Sequence, residues 1–265
     1  MASILGRDLS RYVKRIPEIP MYFWYFVKCF LLFRDPWRFI WAYLTMSSLS
    51  DRQVKLRNGL HIGLSEHPHD VVTVFAIFVR EDYGPIPPGS IVVDIGANIG
   101  IFSLYAAGRG ATKVFAYEPN NESFQCLLKN IDVNGLREVV TPAHLAVTSR
   151  DGATVKFPTA ASMYNAIITD DNRSDYELVE TVTLARILGQ APTVDVLKLD
   201  CEGAEYDILL NVSPEALRQV ASIRMEYHSG PSSDLWAALQ RHGFRRSHLS
   251  ADTPVTGNVW YQRAA

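Results

Sequence analysis

Residues 91–103 read Ile-Val-Val-Asp-Ile-Gly-Ala-Asn-Ile-Gly-Ile-Phe-Ser, and this stretch decides the fold. Its first half is a short apolar, β-branched run, which predicts a buried parallel strand with Asp94 near its end. Gly96 and Gly100 then allow a tight turn and a close approach of other groups to the backbone. A second apolar run follows and predicts a helix. A strand, a glycine turn and a helix together offer a ligand the free N–H groups of a helix N-terminus.

The glycine spacing argues against a dinucleotide as the ligand. A dinucleotide site reads G-x-G-x-x-G, whereas this chain has Asn98 where the middle glycine belongs. The carboxylate of Asp94 would repel a phosphate but would suit a cationic ligand. A second predicted strand, residues 113–118, ends in Glu118, and an acid at this position suits the two hydroxyls of a ribose. A ribose together with a sulfonium cation describes S-adenosylmethionine.

Three motifs carry a resemblance to a known family. They are Asp94-Ile-Gly-Ala-Asn-Ile-Gly100, Tyr117-Glu118-Pro119-Asn120 and Leu197-Lys-Leu-Asp-Cys-Glu-Gly-Ala-Glu205. Together they resemble the FkbM family of S-adenosylmethionine-dependent O-methyltransferases, and the third motif is the most specific. The resemblance extends from about Asn58 to near the C-terminus. It implies S-adenosyl-L-methionine as the cofactor and a hydroxyl of a sugar, glycolipid or related natural product as the acceptor.

The order of the predicted elements gives the fold class. Strands and helices alternate after Glu118, which predicts an α/β fold with a doubly wound sheet and right-handed crossovers. With the resemblance, we expect a mainly parallel seven-stranded class I methyltransferase sheet with helices on both faces, preceded by an N-terminal helical arm and a β-hairpin. We assign residues 1–50 to the arm and 51–265 to the methyltransferase domain. Within that domain, a hairpin and helix occupy 51–88 and a Rossmann-like core occupies 89–265.

Local patterns place further elements. Alternating apolar residues on both sides of Asn58-Gly59 predict the hairpin. Residues 139–147 are predicted as the third core strand. Residues 160–172 are predicted as a polar loop, either a lid over substrate or cofactor or a plain connector.

Composition and charge exclude several classes of protein. The chain of 265 residues is 48% hydrophobic and 20% charged, which is typical of globular domains. Its net charge of −2 provides no basic field for nucleic acid. Cys29, Cys126 and Cys201 are far apart and odd in number, so they indicate neither a disulfide framework nor a zinc site. A cytoplasmic location is therefore expected.

The N-terminal arm is rich in aromatic residues. Residues 21–33 read Met-Tyr-Phe-Trp-Tyr-Phe-Val-Lys-Cys-Phe-Leu-Leu-Phe, a run too short to span a membrane. It begins too late for a signal peptide and lacks a small-residue cleavage site directly after it. Asp35-Pro36 divides the arm into two helices. Two interpretations stay open: the arm packs on its own core or forms a homodimer, or it lies at the inner face of the membrane, which its aromatic residues and basic flanks suit.

The predicted cofactor site collects the ends of several strands. Asp94, Glu118, Asp200 and His228 all fall at the carboxyl ends of predicted strands, where ligands of doubly wound sheets bind. The resemblance adds Tyr83 near the cofactor and Ala146 beside the adenine. The full predicted set is Asp94, Gly96, Ala97, Asn98, Gly100, Glu118, Pro119, Asn120, Ala146, Asp200 and Tyr83.

The predicted catalytic residues follow from the chemistry of an alcohol acceptor, which must lose its proton to a base or bind a metal. Asp200 should face the transferred methyl group, and Lys198, two positions earlier, points to the same side of the sheet. The ordinary pKa of His228, about 6.5, suits a base. The predicted catalytic set is Asp200, His228, Lys198 and Glu202, and the predicted substrate set is Tyr164, Asn165, Glu226 and His228.

Several of these residues have a second interpretation. Lys198 either pairs with Asp200 or Glu226, as buried charges do, or serves as a base whose pKa is lowered by burial. Glu205 suits the first turn of a helix. A divalent metal is not expected, but its ligands would be Asp200, Glu202 and His228.

Two other functions compete with methyl transfer. One is a nucleotide-cofactor oxidoreductase of the NAD type, which Asn98 disfavours. The other is a non-catalytic binding module on a methyltransferase fold.

Overall fold

The structure is a computed structural model that describes residues 3–4, 7–8, 19–160, 165–168, 174–228, 230–250, 253 and 256–264. The predicted substrate residue Tyr164 lies outside these ranges. The strands are β1 Ser3–Ile4, β2 Arg7–Asp8, β3 Gln53–Lys55, β4 His61–Gly63, β5 Ile91–Ile95, β6 Lys113–Tyr117, β7 Val140–Ala143, β8 Ala146–Thr148, β9 Thr154–Pro158, β10 Tyr176–Thr183, β11 Val194–Leu199, β12 Val220–His228, β13 Phe244–Ser250 and β14 Thr256–Arg263. The helices are α1 Ile19–Leu32, α2 Pro36–Thr45, α3 His69–Val74 with a π-helical continuation over Phe75–Arg80, α4 Ile101–Gly108, α5 Asn121–Val133, α6 Leu184–Leu188, α7 Ala204–Asn211, α8 Pro214–Leu217 and α9 Ser232–Arg241.

One large sheet organises the molecule. Its strand order is β13-β14-β12-β11-β5-β6-β7. The strands from β12 to β7 are parallel, and β14 runs antiparallel to both of its neighbours. This confirms the predicted α/β fold with a mainly parallel seven-stranded sheet. The chain builds outward from β5 in one direction and from β11 in the other, so a crevice forms where the carboxyl ends of these two strands meet.

Helices cover both faces of the sheet. Neighbouring side chains of a strand point to opposite faces, so Val92 and Val93 of β5 belong to two different apolar cores. Val92 is buried with residues of α1 to α5, including Phe102 and Leu127. Val93 is buried with residues of α6 to α9, including Leu209 and Leu235. The near-continuous apolar runs of the parallel strands follow from this burial on both sides.

A second, smaller sheet corrects the prediction for residues 139–147. This stretch is not one strand: β7 belongs to the large sheet, whereas β8 pairs with β10 in a three-stranded sheet of order β8-β10-β9. The imidazole of His144 bonds to the carbonyl oxygen of Pro119 at 2.8 Å where the two strands separate. β10 is a further strand that was not predicted from the sequence. Its β-branched, alternating residues 176–183 are a strand signal that could have been recognised.

The predicted hairpin and the two arm helices are present. β3 and β4 pair antiparallel around Asn58-Gly59, with Gly59 at φ +95° and the Asn58 carboxamide accepting the N–H of Leu60. α2 begins at Pro36, as predicted. The inner sides of the arm helices, including Cys29 and Phe33, are buried in the same core as the hairpin. No helix in the described part of the chain combines the length and apolar character needed to cross a bilayer.

The burial of the arm predicts that it contributes to the stability of the whole domain. Phe33 is 1% exposed and its ring lies 4.0 Å from that of Phe39, so Phe33→Ala should lower the free energy of unfolding by about 3–5 kcal/mol. Phe23→Ala is the matched control, because Phe23 lies on the same helix but is 69% exposed. Its effect should stay within about 0.5 kcal/mol. Chemical denaturation measures both, and equal effects would show that the arm is not part of the cooperative fold.

Candidate active site

A cavity opens above the carboxyl ends of β5, β6, β11 and β12, at the crevice that the sheet order produces. Most of the predicted site residues line it, although they come from six separate segments of the chain. The predicted residues in its walls are Gly96, Ala97, Asn98, Glu118, Pro119, Ala146, Asn165, Lys198, Asp200, Glu202, Glu226 and His228.

A buried ion pair forms the floor of the cavity. The ammonium of Lys198, on β11, lies 3.1 Å from the carboxylate of Asp94, on β5, and donates to the carbonyl oxygen of Gly96 at 2.6 Å. The other carboxylate oxygen of Asp94 accepts the hydroxyl of Ser103 at 2.7 Å. Asp94 is completely buried and does not line the cavity. Its negative charge is therefore used to hold Lys198.

The structure bears on both interpretations of Lys198. The predicted pair with Asp200 is present at 3.9 Å, but the principal carboxylate partner is Asp94, and Glu226 forms no ion pair with Lys198. Burial disfavours the charged ammonium, but Asp94 and Asp200 outweigh burial and raise the pKa of Lys198. The prediction of a lysine with a lowered pKa is therefore wrong. A raised pKa favours the protonated ammonium, which disfavours Lys198 as the base.

Two glycines fix the shape of the turn after β5. A Cβ atom at Gly96 would lie 1.8 Å from the carbonyl oxygen of Asp200, so only glycine lets the ends of β5 and β11 approach this closely. Gly100, at φ +90°, begins α4, and a Cβ atom there would lie 2.5 Å from the side chain of Leu127. Gly100 thus packs on α5 and does not line the cavity.

Glu118 marks one end of the cavity. Its carboxylate accepts the N–H of Asn98 at 2.7 Å and the N–H of Asn120 at 2.8 Å, so both oxygens are held in place. Each oxygen keeps a further lone pair that a hydroxyl could use. Burial raises the pKa of Glu118 to about 7, although these two N–H groups oppose the shift. Asn120 caps α5 through Ser123 and has a structural role, outside the cavity wall.

The wall next to Glu118 is apolar. Ala146 and Phe157 contribute from the small sheet, and Ile77 contributes from the π-helical segment. An apolar slot beside a fixed carboxylate fits an adenosine, whose base is flat and whose ribose carries two neighbouring hydroxyls. The residues present therefore fit the predicted cofactor at this end. The sequence analysis did not identify Ile77 or Phe157 as site residues, because no motif surrounds them.

The opposite end of the cavity carries a cluster of charges, here called the acidic cluster: Asp200, Glu202, Glu205, Glu226 and His228. The imidazole of His228 lies at its centre. Its Nδ1 atom is 3.4 Å from Glu205, and its Nε2 atom is 3.7 Å from Glu226 and 3.8 Å from Glu202.

The protonation of His228 differs from the prediction. Burial lowers its pKa, but the hydrogen bonds with Glu205 and Glu226 and the charge of Glu202 outweigh burial and raise the pKa to about 11. His228 is therefore an imidazolium near neutral pH, and the argument from its ordinary pKa is wrong. Three carboxylates from two segments of the chain surround it, and the sequence contains no local signal for this convergence.

Glu205 has two roles, of which the sequence analysis anticipated one. It lies in the first turn of α7, as predicted, and its carboxylate accepts the N–H groups of Cys201 and Gly203 at 2.7 and 2.9 Å. The same carboxylate contacts His228 and thereby orients the imidazolium. Burial would raise the pKa of Glu205, but the hydrogen bond with His228 and the N–H of Cys201 outweigh burial and keep this pKa below its ordinary value.

Glu202 is the carboxylate of the cluster with the fewest contacts to other groups among the described residues. Within the described part of the chain it makes no hydrogen bond, and its charged neighbour is His228 at 3.8 Å. Its backbone lies in the left-handed region at φ +53°, a conformation that is uncommon outside glycine and is enriched at functional sites. Burial raises the pKa of Glu202 to about 7, while His228 opposes the shift.

Tyr83 reaches the site through Asp200. The phenol of Tyr83 is buried and donates a hydrogen bond of 2.8 Å to the Asp200 carboxylate. Burial raises the pKa of Asp200, and Lys198 opposes this shift. Tyr83 therefore positions Asp200 and does not itself line the cavity.

Three of these side chains are close enough to hold a metal ion. One ligand atom each from Asp200, Glu226 and His228 lies within 4.8 Å of the others. The predicted set had Glu202 in place of Glu226. A divalent cation at this position would compete with the proton on His228.

A comparison with models of protein families matches the part of the chain that contains most of the cavity-lining residues. A family model described as the methyltransferase FkbM domain matches residues 94–246. The match contains the turn after β5, Glu118 and the complete acidic cluster.

Curated relatives match the chain at low identity. AMB antimetabolite synthetase AmbE of Pseudomonas aeruginosa is 26% identical, with 77% of this chain and 12% of AmbE covered. Hexuronic acid methyltransferase AglP of Haloferax volcanii is 29% identical, with 53% of this chain and 56% of AglP covered. The chain thus spans only part of the length of these relatives. Among solved structures, Methanocaldococcus jannaschii Trm5 in complex with adenosine is 13% identical, with 78% and 55% coverage and a TM-score of 0.48.

The pKa of Glu118 predicts a pH dependence of cofactor affinity. Ribose hydroxyls donate to the ionised carboxylate, so binding favours the deprotonated form and weakens as the pH falls below about 7. The affinity for S-adenosylhomocysteine should fall by about eightfold between pH 7.5 and pH 6. Isothermal titration measures it. Glu118→Gln is the control, because any titration of the ligand itself affects the variant and wild type equally. The variant should bind more weakly and should lack the eightfold fall in affinity. The same fall in the variant would exclude Glu118 from the ribose site.

Proposed function

The chain belongs to the FkbM methyltransferase family, and on that premise we propose that it is an O-methyltransferase acting on a hydroxyl of a sugar, a glycolipid or a related natural product. Its cofactor is S-adenosyl-L-methionine. The observation that carries the proposal is the polarity of the cavity, which has a carboxylate and an apolar slot at one end and the acidic cluster at the other.

Each end has a distinct task in this proposal. Glu118 holds the ribose, and the apolar wall of Ala146, Phe157 and Ile77 holds the adenine. When bound, the cofactor would supply a methyl group on a cationic sulfur, and transfer of that group to the acceptor oxygen in line with the sulfur would leave a neutral thioether. Carboxylates near the opposite end favour this positive charge. Much of the acceleration then comes from holding the acceptor oxygen in line with the methyl group.

The acceptor hydroxyl must lose its proton, and we assign this step to Glu202. Glu202 lines the cavity, its carboxylate has no hydrogen-bond donor to give up among the described residues, and its pKa of about 7 suits a base near neutral pH. The imidazolium of His228 lowers the pKa of Glu202 and stabilises the ionised form. Asp200, held by Tyr83, orients the acceptor.

The charge of the cluster favours a neutral acceptor group. Asp200, Glu202, Glu205 and Glu226 are four acids, whereas Lys198 and His228 are two cations. A carboxylate acceptor would be repelled, while a hydroxyl can donate its proton into the cluster. Glu226 is partly exposed and can accept hydrogen bonds from further hydroxyls of a sugar. AglP, whose name specifies hexuronic acid as its substrate, supports the carbohydrate part of this proposal; the carboxylate of such a sugar would lie outside the acidic cluster, with a ring hydroxyl at Glu202.

A methyl-transfer assay tests the proposal. Wild type should transfer labelled methyl groups from S-adenosylmethionine to hexosides or hexuronosides, and nuclear magnetic resonance should place the methyl group on a ring hydroxyl. Glu202→Gln should lower the rate by about 10²–10⁴-fold with cofactor affinity unchanged. Glu215→Gln, an exposed acid on α8, is the matched control and should leave the rate unchanged.

The pH profile distinguishes Glu202 from a merely structural acid. His228→Gln removes the positive charge that lowers the pKa of Glu202, so the activity midpoint should move to higher pH. A midpoint that does not move would remove Glu202 as the base. If a chelator abolished the activity and Mg²⁺ restored it, the acceptor hydroxyl would instead be activated by a cation bound to Asp200, Glu226 and His228. Affinity for NAD in place of S-adenosylhomocysteine, or a methyl ester as the product, would contradict the proposal.

A further inference from the structure

The arm helices expose a large apolar surface on the side facing away from the core. Trp37 is 73% exposed and Trp41 is 69% exposed, both on α2. Single exposed apolar residues are common on soluble proteins, but contiguous exposed patches mark binding surfaces. We call this surface the arm face, and its residues are Phe23, Trp24 and Leu31 on α1 and Trp37, Trp41 and Leu44 on α2.

The exposed sides of the two helices meet at Trp37. Trp37, Trp41 and Leu44 follow the i, i+4, i+7 spacing of one helix side. The ring of Trp37 lies 4.9 Å from that of Phe30, next to Leu31, and so joins the exposed sides of α1 and α2. The opposite sides of the two helices pack into the core, where Phe33 and Phe39 are buried. The residues of the arm face therefore do not take part in the packing of the arm against the core.

Three cations border the arm face. The N–H of Arg34 bonds to the carbonyl oxygen of Lys55, and the N–H of Arg57 bonds to that of Leu32, so the three basic residues meet at the end of α1. All three are exposed. The side chains of Arg34 and Arg57 donate to backbone carbonyls, and within the described ranges none of the three forms an ion pair with a carboxylate. Asp35 and Asp51 are exposed acids at the same corner, and Asp51 is paired with Arg38, so an excess of positive charge remains.

We propose that the arm face docks on the surface of an anionic lipid bilayer. Tryptophan side chains prefer the boundary between acyl chains and headgroups, and the cations at the border match anionic headgroups. Helices of 14 and 10 residues are suited to lying in the interface.

Docking in this way places the cavity close to the lipid. The ring of Tyr43, on α2, stacks on Phe75 at 3.9 Å, and Tyr25, on α1, packs edge-on against the same ring at 5.9 Å. Phe75 begins the π-helical segment, which carries Ile77 into the cavity wall. The bilayer would thus lie one layer of helices from the site. This consequence rests on the proposed function, whereas the docking itself does not.

Vesicle co-sedimentation of the full chain tests the docking. Wild type should bind vesicles of phosphatidylcholine with a quarter phosphatidylglycerol, and 0.5 M salt or pure phosphatidylcholine should weaken binding. Trp37→Ser with Trp41→Ser should lower the partition coefficient by at least tenfold. The matched control is Leu178→Ser, because Leu178 is 66% exposed on β10, away from the arm. It should bind as wild type does.

Charge variants test the role of the border. Lys55→Gln and Arg57→Gln should each lower the partition coefficient by about fivefold, the effect of roughly 1 kcal/mol per cation. Arg245→Gln, an exposed arginine on β13, is the control and should have no effect. Titration with S-adenosylhomocysteine confirms that each variant is folded. The docking is overturned if wild type does not bind the anionic vesicles, if neutral vesicles bind equally well, or if the tryptophan variant only converts a dimer to a monomer in analytical ultracentrifugation.

Discussion

The buried ion pair between Lys198 and Asp94 is the interaction on which the site depends. Lys198 holds Asp94 and the Gly96 carbonyl at the end of β5 while its own strand, β11, carries Asp200. Removing one partner of such a pair leaves an uncompensated buried charge, which costs about 3–5 kcal/mol. The pair joins the two strands at the point where the sheet order reverses. It thereby fixes the close contact between Gly96 and Asp200 and the crevice that becomes the cavity.

Above this floor, the acidic cluster balances its own charges. His228 stays protonated because Glu205 holds it from the α7 side while Glu226 and Glu202 flank it from the cavity side. The imidazolium in turn opposes the rise in the pKa of Glu202 that burial produces. A histidine that would serve as a base in isolation thus tunes a neighbouring carboxylate. The protonation state of each side chain in the acidic cluster depends on the others, so the cluster titrates as a unit.

The sequence was informative where function depends on local backbone. The apolar run before Asp94, the glycine turn and the acid at Glu118 predicted β5, the turn into α4 and the acid that follows β6, because each effect acts over a few residues. The sequence could not predict that Lys198 pairs with Asp94, or that Glu202, Glu205 and Glu226 meet at His228. These contacts join segments that are far apart in the chain. They raise the pKa of Lys198, which one interpretation expected to be lowered, and they raise the pKa of His228 from its ordinary value to about 11. The arm showed the same limit: composition indicated an aromatic surface, but only packing separates buried Phe33 from exposed Trp37.

A crystal structure of the complex with S-adenosylhomocysteine is the most direct measurement of the central claim, that one cavity holds the cofactor at Glu118 and presents its reactive end to the acidic cluster. Both ribose hydroxyls should lie within hydrogen-bond distance of the Glu118 carboxylate, with the adenine between Ile77 and Phe157. The sulfur should point toward Asp200 and Glu202. An adenosine seated away from Glu118, or a sulfur directed away from the acidic cluster, would contradict the account.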